Sequence, residues 1–358
     1  MTKRRLWLFR AITLLVVLVG LEGMARVYRV FVPVPEVGYG YPPGLFTWDP
    51  FTEYRCTPRF SGFFRGPLFG DIPIRINADG YRDDEFSVAR APGLPRIAFL
   101  GDSVTFGSGV RAEDRFGDLL RDEATGPLET QNFAVNAYGA WHYAQQARAV
   151  LPRFQPDLVV LGLTLDDLDR KGKSWPRKLV AAPDGSYEGK HLRPGHRPRI
   201  RTSELSALLS ITSELETRWR NRDPWRAWMR AAGAEWSDPE RRAALREHLA
   251  AVRDALAPIP VLVLVLPEAH DLADPERFGM PRREALAMLD ELGISYIDVY
   301  EDFRRVPDWP SFFLPDDSIH LTQEGHARIA SLLREWLSRT DIAWREDALD
   351  SAESAAGP

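Results

Sequence analysis

Five short apolar segments, separated by stretches with helical periodicity, lie between Arg96 and residue 300. A strand that is buried on both faces is apolar throughout, and strands that alternate with helices form parallel sheets of βαβ units. The segments are RIAFL at 96, TQNFAV at 130, DLVVLGL at 157, PVLVLVL at 260 and SYIDVY at 295. The pattern predicts an α/β domain, a three-layer sandwich with a mostly five-stranded parallel sheet.

Three amphipathic helices accompany the later strands. The first is predicted to begin at Asp238, with Pro239 in its first turn, because both residue types favour a helix start. The second is predicted to end at Gly293, and the third to begin near Thr322. The residues predicted to face the core are Leu245, Leu249, Val252 and Leu256 in the first helix and Ile329, Leu332, Leu333 and Trp336 in the third.

The N-terminus is basic and is followed by 20 residues, Leu6 to Ala25, whose only strong charges are Arg10 and Glu22. A helix of this length is about 30 Å long, enough to cross a bilayer. The leading basic residues predict a cytoplasmic end and an extracytoplasmic remainder, in the periplasm or at the cell surface. Residues 1–32 are therefore a transmembrane anchor or a signal sequence. GMA at 23–25 resembles a cleavage site, but the charge of Glu22 just before it favours an uncleaved anchor.

Charge and cysteine content exclude several classes of protein. The net charge of −5 does not supply the broad positive field that nucleic-acid binding requires. The single cysteine, Cys56, excludes an intramolecular disulfide. No pair of histidines has the spacing of a zinc-binding helix, so the sequence predicts no metal site. The oligomeric state is left open.

The segments that flank the predicted sheet domain, residues 96–340, differ from it in composition. Residues 33–95 are rich in Pro, Gly and aromatic residues and contain the alternating piece IPIRINADGYR. They predict a stalk and a β-rich apron. The acidic, Ala- and Ser-rich residues 341–358 predict a disordered tail.

Residues 170–237 interrupt the sheet pattern and predict a helical insert, rich in Arg and Trp. One interpretation is a half-buried helix with a solvated basic face. The other is a membrane-facing or sugar-stacking surface formed by Trp219, Trp225 and Trp228.

The stretch RIAFLGDSVTFGSGV places Ser103 directly after the first predicted strand. Open parallel sheets bind ligands at the carboxyl ends of their strands. The stretch PDDSIHLTQEGH follows the fifth strand and places Asp317 three residues before His320, so it reaches the same edge. A nucleophilic serine needs a base, and a histidine base needs an acceptor on its other ring nitrogen. The sequence predicts these roles for Ser103, His320 and Asp317; the alternatives are a helix-capping serine and a structural histidine.

Four blocks, GDSVTFG, NFAVNAYG, LGLTLDD and DSIHLTQEGH, occur in this order along the chain. In them the chain resembles the GDSL, or SGNH, hydrolase superfamily over residues 76–338. The resemblance implies a flavodoxin-like sheet between helices, hydrolysis of acyl esters without a cofactor, and a triad of Ser103, His320 and Asp317. INADGYRDDE and GSGVRAEDRF are similar to segments of membrane-anchored bacterial members, which implies O-acyl groups of envelope polysaccharide as a substrate.

Two positions depart from the blocks of this superfamily. The resemblance implies an oxyanion hole made of the Ser103 N–H, a glycine N–H in the second block and an asparagine amide in the third. Alignment from Asn132 places Ala137 at the glycine, with Gly139 two residues later, and Asp166 at the asparagine. Alanine keeps the N–H, so that change is mild unless the site needs a positive φ.

Asp166 is the more serious departure, because an ionised carboxylate only accepts hydrogen bonds and would repel the developing oxyanion. Either burial keeps Asp166 protonated, or it turns away from the site, or the site is weakened. Asp166, Asp167 and Asp169 could also bind a cation with Asp102, as in a phosphoesterase; the alternative is that these carboxylates are structural or solvated.

The main hypothesis is an extracytoplasmic, membrane-tethered serine esterase that forms an acyl-enzyme on O-acyl esters, O-acetyl esters among them. Its expected partners are an acyl ester, carried on a glycan in one version, and the membrane. Two alternatives stay open: an acyltransferase that uses the same triad, and a catalytically weakened binding or scaffold protein of an envelope glycan assembly.

Overall fold

The computed structural model describes residues 2–31, 42, 44–66, 70–124, 126–165, 206–209, 211–212, 215, 233–315 and 317–340. The chain divides into two compact units. One consists of Met1–Gly38 and Arg197–Met229, and the other of Tyr39–His196 and Arg230–Pro358. The predicted tail at 341–358 and the three tryptophans at 219, 225 and 228 lie outside the described residues.

The first unit contains helix α1 (Lys3–Phe31). Its segment Lys3–Tyr28 contains an 18-residue stretch with a mean hydropathy of 1.9 and is long and apolar enough to cross a membrane, a test that a signal sequence also passes. The Glu22 carboxylate accepts hydrogen bonds from the Ser206 hydroxyl at 2.7 Å and from the backbone N–H groups of Ala207 and Leu208 at 3.1 and 3.2 Å. The charge near the end of the apolar segment therefore caps the start of a helical segment in the insert.

The second unit begins with two antiparallel hairpins in the apron, residues 33–95. Strands β1 (Phe46–Asp49) and β2 (Glu53–Cys56) form the first, and β3 (Ser61–Gly66) and β4 (Gly70–Arg75) the second. Buried and exposed positions alternate along β4, as expected for a hairpin with one face on a core.

Five parallel strands form the central sheet of this unit. They are β5 (Arg96–Gly101), β6 (Glu129–Asn132), β7 (Leu158–Thr164), β8 (Val261–Leu266) and β9 (Ser295–Asp298). Their order is β6-β5-β7-β8-β9, and β5 and β7 are buried along their whole length. The predicted architecture is confirmed. The strand order reverses between β5 and β7, which is the place where open α/β sheets form a ligand crevice.

Helices cover both faces of the sheet. They are α2 (Ser103–Phe106), α3 (Phe116–Asp122), α4 (Ala140–Ala149), α5 (Leu151–Phe154), α6 (Ala234–Trp236), α7 (Pro239–Leu256), α8 (Ala269–Ala273), α9 (Pro275–Phe278), α10 (Met280–Leu292), α11 (Val299–Phe303) and α12 (Gln323–Arg339). Two 3₁₀ turns span Ala112–Asp114 and Trp309–Phe312.

The three predicted helix boundaries are confirmed. The Asp238 carboxylate caps α7 by accepting from the Glu240 N–H at 2.9 Å, and Thr322 caps α12. Gly293 ends α10 in the left-handed conformation, with φ of 64°. Of the residues predicted to face the core, six are buried and two, Leu332 and Trp336, are partly buried against the same hydrophobic cluster.

Two glycines let α2 pack against the sheet immediately after β5. Gly101 of β5 and Gly162 of β7 are paired across the sheet. A Cβ at Gly101 would lie 2.1 Å from the Thr105 hydroxyl oxygen, and one at Gly162 would lie 2.2 Å from the same atom. The absence of side chains at this pair allows the helix to begin at the sheet edge, with Ser103 as its first residue.

Candidate active site

Ser103 lies at the carboxyl edge of the sheet, where β5 ends and α2 begins. The preceding Asp102 is 1% exposed and caps this helix by accepting from the Val104 N–H at 2.9 Å. The side chain of Ser103 is thereby held at a rigid junction between a buried strand and a helix. Ser103 is 9% exposed, so its hydroxyl lies at the border between the core and the solvent.

Asp317 and His320 belong to the turn between the second 3₁₀ turn and α12. Leu314 anchors both ends of this turn: its N–H donates to the His320 carbonyl at 2.9 Å and its carbonyl accepts from the Asp317 N–H at 3.0 Å. One oxygen of the Asp317 carboxylate accepts from the backbone N–H groups of Ile319 and His320, at 2.9 and 3.0 Å. The four residues from Asp317 to His320 thus form a closed turn that fixes the carboxylate.

The structure brings the three predicted residues together. The other Asp317 oxygen lies 2.9 Å from Nδ1 of His320, and Nε2 of His320 lies 2.8 Å from the Ser103 hydroxyl oxygen. The tautomer that satisfies both hydrogen bonds carries its proton on Nδ1, which leaves the Nε2 lone pair to accept the Ser103 proton. His320 is 3% exposed, so this contact is shielded from water.

Opposing effects act on the Asp317 carboxyl. Burial by itself would raise its pKa, but the hydrogen bond and charge of the His320 ring and the two backbone N–H groups outweigh it and lower the pKa to about 2. Asp317 is therefore ionised at every pH at which the protein is expected to work. An ionised carboxylate is the form that can stabilise an imidazolium at His320.

Ser103 has a second acceptor that the sequence did not indicate. Its hydroxyl oxygen lies 3.1 Å from an oxygen of Asp102, which also accepts from the Thr164 hydroxyl at 3.2 Å. A hydroxyl has one proton to donate, so Ser103 donates either to Asp102 or to His320. Only the bond to His320 leads to proton transfer onto a base.

The turn after β6 contains the positions that the resemblance aligned with an oxyanion hole. Ala137 has φ of 57°, in the left-handed region, which is the condition under which alanine in place of glycine is costly. Within the described residues, the backbone N–H groups of Ser103 and Ala137 donate to no protein acceptor. The N–H of Gly139, in contrast, donates to Nδ1 of His142 at 3.1 Å at the start of α4.

Asp166, Asp167 and Asp169 lie outside the described residues, which end at Leu165 after β7. His191 and His196 also lie outside them.

Among the histidines that the structure describes, His326 is fully buried on α12 and stacks on Phe116. Burial and the nearby Arg115 and Arg82 lower the pKa of His326 to about 3, so it is a neutral core residue.

Two apron residues approach the site in a way that sequence reasoning did not identify. Arg82, in the quoted stretch INADGYRDDE, donates to carbonyls of the loop behind α2. Tyr54, on β2, donates to the turn that contains Ala137. The signal available in the sequence was the similarity of INADGYRDDE to segments of membrane-anchored bacterial proteins, but the contacts themselves join residues far apart in the chain.

Residues 99–328 match the sequence profile of the GDSL-like Lipase/Acylhydrolase family. The chain belongs to this family. The predicted membership is confirmed, and the protein is an ester hydrolase of the GDSL, or SGNH, type. No protein of curated function matches the chain.

Several solved structures are similar to this GDSL-like chain at low sequence identity. A lipase/acylhydrolase from Enterococcus faecalis is 17% identical with a TM-score of 0.41, over 69% of this chain and 98% of that one. An acetylxylan esterase from Geobacillus stearothermophilus is 15% identical with a TM-score of 0.40, over 69% and 95%. A Bacillus subtilis protein is 14% identical with a TM-score of 0.44, over 77% and 69%.

Proposed function

We propose that this GDSL-like hydrolase is a membrane-tethered, extracytoplasmic serine esterase that acts on O-acyl esters through Ser103, His320 and Asp317. One observation carries the proposal: the His320 ring bridges the other two side chains, at 2.8 Å from the Ser103 hydroxyl and 2.9 Å from the Asp317 carboxylate. This is the arrangement that a nucleophile, its base and the orienter of the base require.

The first half of the reaction forms an acyl-enzyme. The Ser103 oxygen attacks the carbonyl carbon of the ester while Nε2 of His320 takes the hydroxyl proton. The carbonyl oxygen becomes an oxyanion, and the N–H groups of Ser103 and Ala137 are the donors available to it. When the tetrahedral intermediate collapses, the bond to the leaving alcohol breaks and His320 returns the proton to that alcohol.

The second half repeats these steps with water. His320 takes a proton from a water molecule, whose oxygen attacks the acyl carbon of the acyl-enzyme. Collapse of this second intermediate breaks the bond to Ser103, which regains its proton from His320, and releases a carboxylic acid. Asp317 stays ionised throughout and stabilises the imidazolium twice in each cycle.

We assign the oxyanion hole to Ser103 and Ala137 and not to Gly139. The Gly139 N–H already donates to His142 at 3.1 Å and would have to break that bond to reach the substrate. Asp166 has the place of the asparagine donor of the family. If Asp166 is a degraded donor, Asp166→Asn raises kcat; if it donates as a protonated acid, the change is neutral and the wild-type rate falls as the pH rises.

The membrane tether rests on α1 and on the bonds that Glu22 makes. The apolar segment of α1 follows a basic start, which favours a cytoplasmic N-terminus. Cleavage after Ala25 would remove Glu22 and leave the N–H groups of Ala207 and Leu208 without this acceptor. This favours a retained anchor, which places the site where O-acyl groups of envelope glycan, O-acetyl groups among them, are accessible.

The test uses the full chain in detergent micelles, with 4-nitrophenyl acetate and a fluorophosphonate probe. Wild type is expected to turn over the ester and to take up the probe, whereas Ser103→Ala does neither. Ser338→Ala, which removes an exposed serine of α12, is the matched control and keeps both activities. Equal labelling of wild type and Ser103→Ala would refute the proposed nucleophile.

Two further outcomes separate the alternatives. A transferase with the same triad would form less free acid and more acylated sugar when a glycan acceptor is added during turnover. A scaffold protein would show no turnover and no labelling in the wild type or in Asp166→Asn. That result would favour the scaffold protein over both enzymes.

A further inference from the structure

Arg82 is a buried arginine that bonds to carbonyls rather than to a carboxylate. It is 2% exposed, and its guanidinium donates to the carbonyl oxygens of Phe106, Gly107 and Val110 at 3.1, 2.7 and 2.9 Å. Removing a cation from water is costly, and the carbonyl dipoles compensate that cost only in part. The guanidinium therefore ties three backbone carbonyl groups of one loop to a single side chain of the apron.

The loop that Arg82 holds is the one that fixes the backbone of Ser103. The N–H groups of Gly107 and Ser108 donate to the Ser103 carbonyl at 3.1 and 3.0 Å. Gly107 is left-handed, with φ of 82°, and a Cβ there would lie 2.5 Å from Arg115 and 3.2 Å from the Arg82 guanidinium. The guanidinium and the loop therefore fit together without space for a side chain, and the peptide of Ser103 depends on both.

Tyr54 makes an equivalent contact with the other proposed oxyanion donor. Its hydroxyl donates to the Asn136 carbonyl at 2.9 Å, and the Tyr138 hydroxyl donates back to the Tyr54 carbonyl at 2.6 Å. The two bonds hold the residues on either side of Ala137. The ring of Tyr54 also packs edge-on against the Tyr138 ring, with centroids 5.3 Å apart. Ala137 is thereby held in its unfavourable left-handed conformation.

A further hydrogen bond joins the two loops. The Asn136 side-chain amide donates to the Ser108 hydroxyl at 2.6 Å, and both residues are buried. The connection therefore runs from Arg82 to the Gly107 carbonyl, along the backbone to Ser108, and through Asn136 to Tyr54. It begins and ends in the apron, while the residues matched by the family begin only at 99.

We propose that Arg82 and Tyr54 are positioning residues, through which the apron sets the distance between the N–H groups of Ser103 and Ala137. The proposal rests on the proposed function, because it assigns the apron a part in the same oxyanion hole. The apron is then a component of the active site and not a spacer between membrane and enzyme. Neither residue touches the substrate; each acts through the backbone it holds.

The test compares Arg82→Lys and Tyr54→Phe with two matched controls in the full chain. Arg96→Lys alters another buried arginine that donates to carbonyls, at the opposite end of β5. Thr57→Val removes another hydroxyl-to-carbonyl bond of the apron, 2.7 Å long, from Thr57 to Gly44. Tyr54→Phe keeps the ring, so it decides the question even if Arg82→Lys fails to fold.

For both test variants we expect kcat on 4-nitrophenyl acetate to fall about tenfold, with KM within about twofold, because an oxyanion donor acts mainly in the transition state. Affinity for a short-chain trifluoromethyl ketone, which forms a tetrahedral adduct with the serine, is expected to fall by the same factor. The controls are expected to lower the melting temperature comparably and to leave kcat and ketone affinity within about twofold.

Two results would overturn the proposal. The first is a fall in kcat no larger than that of the controls at equal loss of melting temperature. The second is a fall in kcat with unchanged ketone affinity, which would place the effect outside the oxyanion hole. Either result, obtained while Ser103→Ala is inactive, leaves the proposed function intact; activity of Ser103→Ala itself would refute that function instead.

Discussion

The two ends of strand β5 differ in how their polar groups are paired. At the amino end, the Asp157 carboxylate accepts from both terminal nitrogens of Arg90 at 2.8 Å and from the Arg96 N–H at 2.8 Å. The Arg96 guanidinium pairs with Glu129 at 2.8 Å. Every one of these charges has a partner of opposite sign. Removing one partner from such a cluster leaves a buried charge unpaired, which destabilises the fold.

At the carboxyl end, several groups are held in costly states. The Ser103 hydroxyl faces two acceptors, Ala137 is left-handed, and Arg82 is buried against carbonyl oxygens. Strain and incomplete pairing are retained where they serve a ligand or a reaction. One end of the strand therefore supports the fold, and the other carries the groups proposed for catalysis. Substitutions at the two ends are expected to separate activity from stability.

The largest effect is expected for His320→Ala. Loss of the base lowers kcat on 4-nitrophenyl acetate by about 10⁵-fold or more, because neither proton transfer can then occur. The melting temperature also falls, because His320 is 3% exposed and its loss leaves the Asp317 carboxylate without the ring as a partner. His270→Ala on α8, a half-buried histidine, is the control and keeps kcat. Comparable losses in both variants would refute a special role for His320.

Asp317→Asn is expected to lower kcat by about 10³- to 10⁴-fold, because the amide cannot hold the required tautomer or stabilise the imidazolium. It also tests the lowered pKa. The wild-type carboxyl has a folded pKa of about 2, below the ordinary value of 3.8, so its stabilisation is full above about pH 4 and is lost as the pH falls through 2.

Denaturant unfolding of wild type and Asp317→Asn across this range checks the linkage. The difference in unfolding free energy is expected to be roughly 2 kcal/mol above pH 4 and to shrink towards acid. A difference that does not vary with pH would contradict the assigned pKa.

At the amino end of β5, Asp157→Ala is expected to do the reverse. It leaves the Arg90 guanidinium and the Arg96 N–H without their acceptor and lowers the free energy of unfolding by about 3 kcal/mol. The kcat per folded molecule, counted by fluorophosphonate titration, stays within about twofold of wild type. A fall in kcat of tenfold or more would break the division between the two ends.

The smallest effect is expected for Ala137→Gly at the carboxyl end. Glycine removes the strain of the left-handed conformation, but it also gives the unfolded chain more conformational freedom. The first effect is larger, so the free energy of unfolding rises by about 0.5–1 kcal/mol. Ala134 is a neighbouring buried alanine whose φ is not positive, so Ala134→Gly is expected to be destabilising. Chemical denaturation measures both; destabilisation by Ala137→Gly would show that the strain is not relieved.

The secondary structure and the main site were readable from the sequence because their signals are local. The five apolar segments became the five strands, and Asp238, Gly293 and Thr322 mark helix ends by the chemistry of their own side chains. Ser103, His320 and Asp317 could be named because parallel strands bring their carboxyl ends to one edge. For Ala137 the sequence could say only that alanine is costly if its φ is positive. The value of φ depends on the turn around the residue, which the sequence does not show.

The α/β fold, its family and the three side chains proposed for catalysis follow from the sequence alone, because periodicity and short motifs are properties of neighbouring residues. The folded chain was needed to show that Asp102 is a second acceptor for Ser103, and that Arg82 and Tyr54 hold the loops behind the site. These contacts of Arg82 and Tyr54 join residues 24 to 82 positions apart. No local sequence pattern predicts these contacts. Every residue has a backbone carbonyl, so the sequence does not show which carbonyl a donating side chain will bond to.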